Sequence, residues 1–227
     1  MRDDKVGFFS LTGGDEDGDG DGDEDAACPP VLARCFAQLI ALASLRGVAT
    51  AVTGGAPLLL PPVGMLAVYD GNRSKYVAHV DNDLVTDEVS GEWHWRNARV
   101  LTTILYLNPC EGSEADGSEG EQERHWEAAD GGVLRYWPSY RSVPGQGGDG
   151  PSCIEDTIGE AARAGTAVDV LPVGGTVVMF DSRRLRHAVC PAHRRRVALS
   201  AWFVSAATII EETEQGREDA ANRAPTE

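Results

Sequence analysis

Two residues apart in the run Tyr76-Val77-Ala78-His79-Val80-Asp81-Asn82, His79 and Asp81 are the pair in this chain whose types and spacing best suit metal chemistry. The run is apolar and β-branched enough to read as a strand, and on a strand the side chains at i and i+2 share a face, so imidazole and carboxylate project together. A third donor, His187, comes late, just before the strand-like run Arg196 to Phe203. Two histidines and one carboxylate on one side of a metal, with the other positions open, form the facial set that holds non-haem Fe(II). In the run after His187, Arg196, Ala198, Ser200 and Trp202 share one face, and Val197, Leu199, Ala201 and Phe203 share the other. An arginine turned into a barrel needs an anion, since leaving a buried guanidinium unpaired costs roughly 3 to 5 kcal/mol.

The elements that must position these residues are short and β-rich. Runs at 64 to 69, 75 to 81, 99 to 107, 132 to 137, 167 to 171, 175 to 180, 187 to 190 and 196 to 204 are separated by Gly, Pro and Asn, with Pro172-Val173-Gly174-Gly175 as a turn. Eight such strands suggest a mainly β fold, a double-stranded β-helix or jelly roll with a site at one open end. At least one supporting helix is expected. Pro29-Pro30 opens it, Val31, Leu32, Cys35, Phe36, Leu39, Ile40 and Ala43 form its apolar stripe, and Gly47 stops it after Arg46, so it should pack outside the sheet. Val6 to Leu11 could add a further strand.

These residues resemble the 2-oxoglutarate and Fe(II) dependent prolyl 4-hydroxylases, and among them the hypoxia-inducible-factor type. The resemblance rests on Met65 to Asn72, Tyr76 to Asn82, Arg99 through Tyr106-Leu107-Asn108, Gly131-Gly132-Val133-Leu134-Arg135, and Arg196 through Phe203. A weaker match covers Arg2 to Val6. The resemblance implies His79, Asp81 and His187 as metal ligands. It implies Arg196 and Tyr106 as the clamp on the distal carboxylate of 2-oxoglutarate, with Tyr69, Ile104, Ser200 and Trp202 lining that pocket. Arg99 and Tyr76 fall where the family meets its peptide and its site entrance. Implied as well are Fe(II), 2-oxoglutarate and O2 as cofactors, with ascorbate as an auxiliary, a role in oxygen sensing, and a proline-containing protein or peptide as substrate. The reaction implied is 4-hydroxylation of a prolyl residue coupled to decarboxylation of 2-oxoglutarate to succinate. A 2-oxoglutarate oxygenase with a non-prolyl substrate and a catalytically silent binding barrel are the alternative readings.

Three stretches depart from the family pattern: a Trp-rich loop from Leu84 to Asn97, the acidic stretch 111 to 130, and a Gly-containing excursion at 139 to 165. The chain also begins where the family has already completed N-terminal helices. The identity of the substrate therefore does not carry over.

Composition bounds the rest. The 227 residues, 42% hydrophobic, suit a single domain over 1–227. The net charge of -16 is concentrated in an acidic, disordered insertion at 15–25, an acidic loop at 111–130 and a charged tail at 207–227. Outside 15–25, 111–130 and 211–227 there are 17 basic and 14 acidic residues, so the body is near neutral and nucleic acid is not an expected partner. Asp15, Asp17, Asp19 and Gly20 imitate the start of a calcium loop, but its twelfth position is Ala26 rather than a bidentate Glu. The run is expected to be dispensable for chemistry, the alternative being a docking element for a basic partner. No stretch has the roughly 20 apolar residues of a membrane span, and no secretory signal is evident. The five scattered cysteines form no CxxC pair, so the expected setting is intracellular, cytoplasmic or nuclear, with reduced thiols. His94, His125, His193 and the neighbouring Arg194 and Arg195 are expected in loops or solvent.

Overall fold

The computed structural model of the chain describes residues 4–10, 29–44, 47, 51, 58–60, 63–87, 90–109, 125–138 and 167–205. The expected insertion 15–25, residues 111–124 of the acidic loop, the whole 139–165 excursion and the 207–227 tail lie outside them. In chain order the elements are β1 (Lys5–Ser10), α1 (Pro30–Ala43), β2 (Leu58–Leu59), β3 (Val63–Asp70), β4 (Ser74–His79), β5 (Leu84–Thr86) and β6 (Trp93–Trp95). They continue with β7 (Arg99–Tyr106), β8 (Leu134–Trp137), β9 (Val168–Val170), β10 (Val177–Asp181), β11 (Arg186–Ala192) and β12 (Arg195–Ser205).

Apart from the small β5-β6 sheet, the strands from β3 onward are shared between two sheets. The larger has the order β1-β3-β12-β7-β10, with β2 added beside β12, and the smaller has the order β4-β11-β8-β9. All pairings are antiparallel. Two antiparallel sheets fed by one chain make the expected jelly roll. The longest strand, β12, lies between β3 and β7 in the larger sheet and is buried on both faces. Its odd-numbered Leu199, Ala201 and Phe203 pack with Phe36, Leu39, Ala43 and Leu101 under α1, while its even-numbered residues face the pocket. Pro30 at the first turn of α1 fits, because the amide hydrogen it lacks would have no intrahelical acceptor there.

The connection between β9 and β10 is the expected turn. Thr176 N–H donates to the Val173 carbonyl, Gly175 takes φ 80°, and a side chain on Gly174 would collide with the Asn108 carbonyl.

Three local expectations need correction. The strand expected to run to 81 ends at His79, and Asp81 follows in a bend. The stretch Leu84 to Asn97 is a β-hairpin in which Leu84 pairs with Trp95 and Thr86 with Trp93. Residues 125–130 belong to the folded body: Trp126 and Asp130 are buried, and Ala128–Asp130 forms a 3-10 turn with a reciprocal Glu127–Asp130 capping box.

The hairpin has a closed base. Asn82, fully buried, donates its amide to the carbonyls of Asn97 (2.6 Å) and Arg99 (2.7 Å) and accepts from Asn97 N–H at 3.0 Å. Asn97 in turn donates to the Asp81 carbonyl at 3.1 Å and accepts from Arg99 N–H at 3.0 Å. Fourteen intervening residues are thus pinned where the chain leaves and rejoins the sheets, and the backbone of Asp81 is pinned with them. Removing one partner of buried hydrogen bonds leaves the others unsatisfied, at about 1–3 kcal/mol each. Asn82→Ala should therefore destabilise the protein by several kcal/mol in urea unfolding, whereas Ser90→Ala at the hairpin tip should leave the midpoint almost unchanged.

Candidate active site

The pairing of β4 with β11 sets His79 directly opposite His187, so residues 108 positions apart face each other across one ladder. Asp81, just beyond the end of β4, folds back toward both. Its Oδ1 lies 3.2 Å from His79 Nε2 and 3.8 Å from His187 Nε2, and one ligand atom from each of the three lies within 4.8 Å of the others. Each imidazole is oriented by a backbone carbonyl two residues earlier: His79 Nδ1–H donates to Val77 (2.9 Å) and His187 Nδ1–H donates to Leu185 (3.0 Å). That tautomer leaves both Nε2 lone pairs turned to the centre, as metal ligation requires.

The carboxylate of Asp81 is braced from the larger sheet. Its Oδ2 accepts from the Thr102 hydroxyl at 2.5 Å and from Trp202 Nε1 at 3.2 Å, leaving Oδ1 toward the histidines, and Thr102 is itself bonded to Ser182 at 2.8 Å. Burial opposes the charge on Asp81. The adjacent His187 and His79 imidazoles and the hydrogen bond from Thr102 outweigh it and hold the carboxyl well below the usual range. Burial, with the neighbouring His79, pushes His187 down to about 4, so it is a neutral donor at pH 7.

Deeper in the pocket, strand register assembles a second cluster. Arg196 pairs with Tyr69, Ala198 with Ala67 and Tyr106, and Ser200 with Met65 and Ile104. Residues that share a face by alternation thus become rows across three strands. Arg196, 2% exposed, lies between two aromatic rings, 4.8 Å from the Tyr69 centroid and 5.0 Å from that of Tyr106. Its Nε donates to the Gly132 carbonyl at 2.9 Å, and among the described residues no carboxylate pairs with it. The buried Tyr106 hydroxyl has no hydrogen-bond partner of good geometry among the described residues, although the Arg196 guanidinium lies close enough to act on it. Burial raises its pKa, against the opposing influence of Arg196, so it stays a protonated donor. A paired cation and donor hydroxyl with no anion between them suit a carboxylate ligand.

The pocket brings together His79, Asp81, His187, Arg196, Tyr69, Ile104, Ser200, Trp202, Arg99 and Tyr76, with Tyr106 behind Arg196. Arg99 stacks on Trp202 at 4.1 Å, and the Tyr76 ring lies 4.2 Å from that of His79. Sequence reading assigned no site role to Thr102, Ser182, Gly132 or the pocket-lining Phe8. The signal for Thr102 was its place on the face of Ile104 and Tyr106. The others depend on contacts between distant segments. One local expectation needs correction here. Arg194 is not solvated but stacks 5.4 Å from the Trp126 ring and 3.8 Å from Asp130. Trp95, on the hairpin, is covered by Arg183 at 4.8 Å.

His187 gives a pH signature. Folded it titrates near 4 and unfolded near 6.5, so between these values the unfolded chain binds the extra proton and stability falls as pH drops. The contribution is complete above the unfolded value and lost toward the folded one. At pH 5 the metal-free protein should lose about 2 kcal/mol relative to pH 7 that His187→Gln does not lose. Equal pH slopes in denaturant unfolding of the two proteins would contradict a buried neutral His187.

Comparison with known proteins places these features in a family. The sequence model of the 2OG-Fe(II) oxygenase superfamily matches residues 64–204. The chain is 29% identical over 142 residues to the hypoxia-inducible factor prolyl hydroxylase of Caenorhabditis elegans, covering 62% of this chain and 13% of that protein. It is 29% identical over 144 residues to human prolyl hydroxylase EGLN3, covering 63% of this chain and 40% of the relative. The fold matches that of a Trichoplax adhaerens prolyl hydroxylase solved with a hypoxia-inducible factor peptide, with TM-score 0.53 and 20% identity over 90% of this chain and 64% of that one. The chain thus spans well under half the length of the curated relatives it matches.

Proposed function

The chain belongs to the 2OG-Fe(II) oxygenase superfamily, and on that premise we propose that it hydroxylates prolyl residues of a protein or peptide at the 4-position, consuming 2-oxoglutarate and O2. The observation that carries the reading is the pairing in one pocket of a His79/Asp81/His187 donor set with a buried, carboxylate-free Arg196. A metal-only site would not need the arginine, and a dicarboxylate co-substrate accounts for both. The prolyl assignment rests on kinship with the worm and human enzymes.

In this reading His79 and His187, through Nε2, and Asp81, through Oδ1, would hold Fe(II). The bound iron and co-substrate supply the oxidising chemistry. The protein's own residues orient and exclude. Thr102 and Trp202 hold Asp81 Oδ2 so that Oδ1 stays turned to the metal. Arg196 takes the distal carboxylate of 2-oxoglutarate and the Tyr106 hydroxyl donates to it, while Tyr69, Ile104, Ser200 and Trp202 wall the space around it. Arg99, Tyr76 and Phe8, at the rim, are available to the incoming peptide. The requirement for O2 makes oxygen-responsive modification of a partner a natural use. Cys35 forms no disulfide among the described residues, which accords with the intracellular setting proposed here.

Asp81→Ala should abolish iron-dependent succinate release, and unchanged turnover would remove the ligand assignment. Arg196→Ala should raise the 2-oxoglutarate requirement about tenfold or more, the equivalent of a charge-assisted contact. The exposed Arg195 points to the other side of the strand, and Arg195→Ala should leave that requirement unchanged. A mass increase of one oxygen on a proline-containing peptide, absent from the same peptide with alanine for proline, tests the substrate class.

A further inference from the structure

Behind the anion clamp, the chain turns through Gly131 and Gly132, both in the left-handed region at φ 65° and 66°. Such φ values are costly for residues with a Cβ. The space is equally restrictive. A Cβ on Gly131 would overlap the Pro191 carbonyl, and one on Gly132 would lie 3.1 Å from Arg196 Cδ and 3.2 Å from Ala192 Cβ. The two carbonyls face different partners. Gly131 O accepts from the indole Nε1 of Trp126 at 3.0 Å, and Gly132 O accepts from Arg196 Nε at 2.9 Å. Gly132 N–H donates to Pro191 and Gly131 N–H to Ala128, so the turn is tied on both sides. Trp126, 1% exposed, is itself held beneath Arg194, whose guanidinium reaches Asp130.

We propose that Gly132, seated by Trp126, is a positioning residue for Arg196: its carbonyl fixes Nε so that the remaining guanidinium nitrogens are aimed into the pocket, and this sets the affinity for the distal carboxylate of the co-substrate. The inference rests on the reading of Arg196 as the carboxylate anchor. A guanidinium on a long side chain has many rotamers, and fixing one nitrogen before the ligand arrives removes an ordering cost from binding. Glycine is required here because its carbonyl must approach Arg196 with the adjacent Cα close to the arginine stem. Trp126 acts one step further back, holding the peptide unit that precedes Gly132.

The test uses the full chain loaded with Mn(II), titrated calorimetrically with 2-oxoglutarate and separately with oxalate, which chelates the metal but has no distal carboxylate. Gly132→Ala should raise the Kd for 2-oxoglutarate about tenfold or more, the scale of a lost charge-assisted bond, and leave that for oxalate unchanged. Trp126→Phe, which keeps an aromatic ring at the site but is smaller and lacks the indole donor, should shift 2-oxoglutarate in the same direction by less, in protein that stays folded though with a lower melting temperature. In an Arg196→Ala background neither change should have a further effect. Equal losses for both ligands, or wild-type 2-oxoglutarate affinity in folded variants, would overturn the proposal. Should Gly132→Ala fail to fold, Trp126→Phe alone decides between these outcomes. A wild-type protein that binds oxalate and not 2-oxoglutarate would instead overturn the reading of Arg196 itself.

Discussion

Two opposite charges, the Asp81 carboxylate and the Arg196 guanidinium, are buried in one pocket and are not paired with each other. Burying an ion costs several kcal/mol, and direct pairing is the ordinary remedy. Here each charge is satisfied only in part, by different pieces of the scaffold. Asp81 has Thr102, Trp202 and the histidines, while Arg196 has one carbonyl and two aromatic faces. Keeping the two apart preserves a carboxylate oxygen for a cation and guanidinium donors for an anion. The fold must then supply enough stability elsewhere to hold this arrangement.

That stability comes from a division of labour along β12. Its even positions line the pocket, and its odd positions pack beneath α1 together with Leu101 and Leu105 of the neighbouring strand. The strand is therefore buried twice over, which explains why after its first residue, Arg195, it reads as nearly continuous apolar sequence broken only by Arg196, Ser200 and its final serine. The apolar contacts that fix its register lie on the face away from the chemistry, so the pocket face can carry polar residues that contribute little to folding.

Much of this was legible beforehand because alternation is a local property. The grouping of Arg196 with Ser200 and Trp202, and of Thr102 with Ile104 and Tyr106, follows from a period of two once the strands are recognised. Asp81 was placed correctly beside His79 for a reason that holds only in part, since the strand stops at His79 and a bend carries the carboxylate round. What returns it to the metal side is the Asn82–Asn97 clasp and the Thr102 hydroxyl, and neither can be read from spacing. The β5–β6 hairpin was missed because Leu84-Val85-Thr86 and Trp93-His94-Trp95 are only three residues each, although Ser90-Gly91 between them is a turn signal. Residues 125–130 were absorbed into an acidic loop by charge density, although Trp126 is among the most buried side chains described.

The same contrast separates what alternation can supply from what closure must add. Pairing and pleat place side chains on a face to within the accuracy of a strand, but a ligand set and an anion clamp demand a particular oxygen or nitrogen to point in a particular direction. In this chain Thr102 and Trp202, on strands, aim the Asp81 carboxylate, and the rest of that last step falls to groups outside regular strands or to backbone carbonyls: Val77 and Leu185 for the imidazoles, Gly132 for the guanidinium, and the Asn97 side chain for the backbone of Asp81. Carbonyls suit the task because they are set by the main chain and lose no rotamer freedom on being used. Function here therefore depends on backbone shape at a few non-repeating points, and the two consecutive left-handed glycines mark where that shape is most constrained.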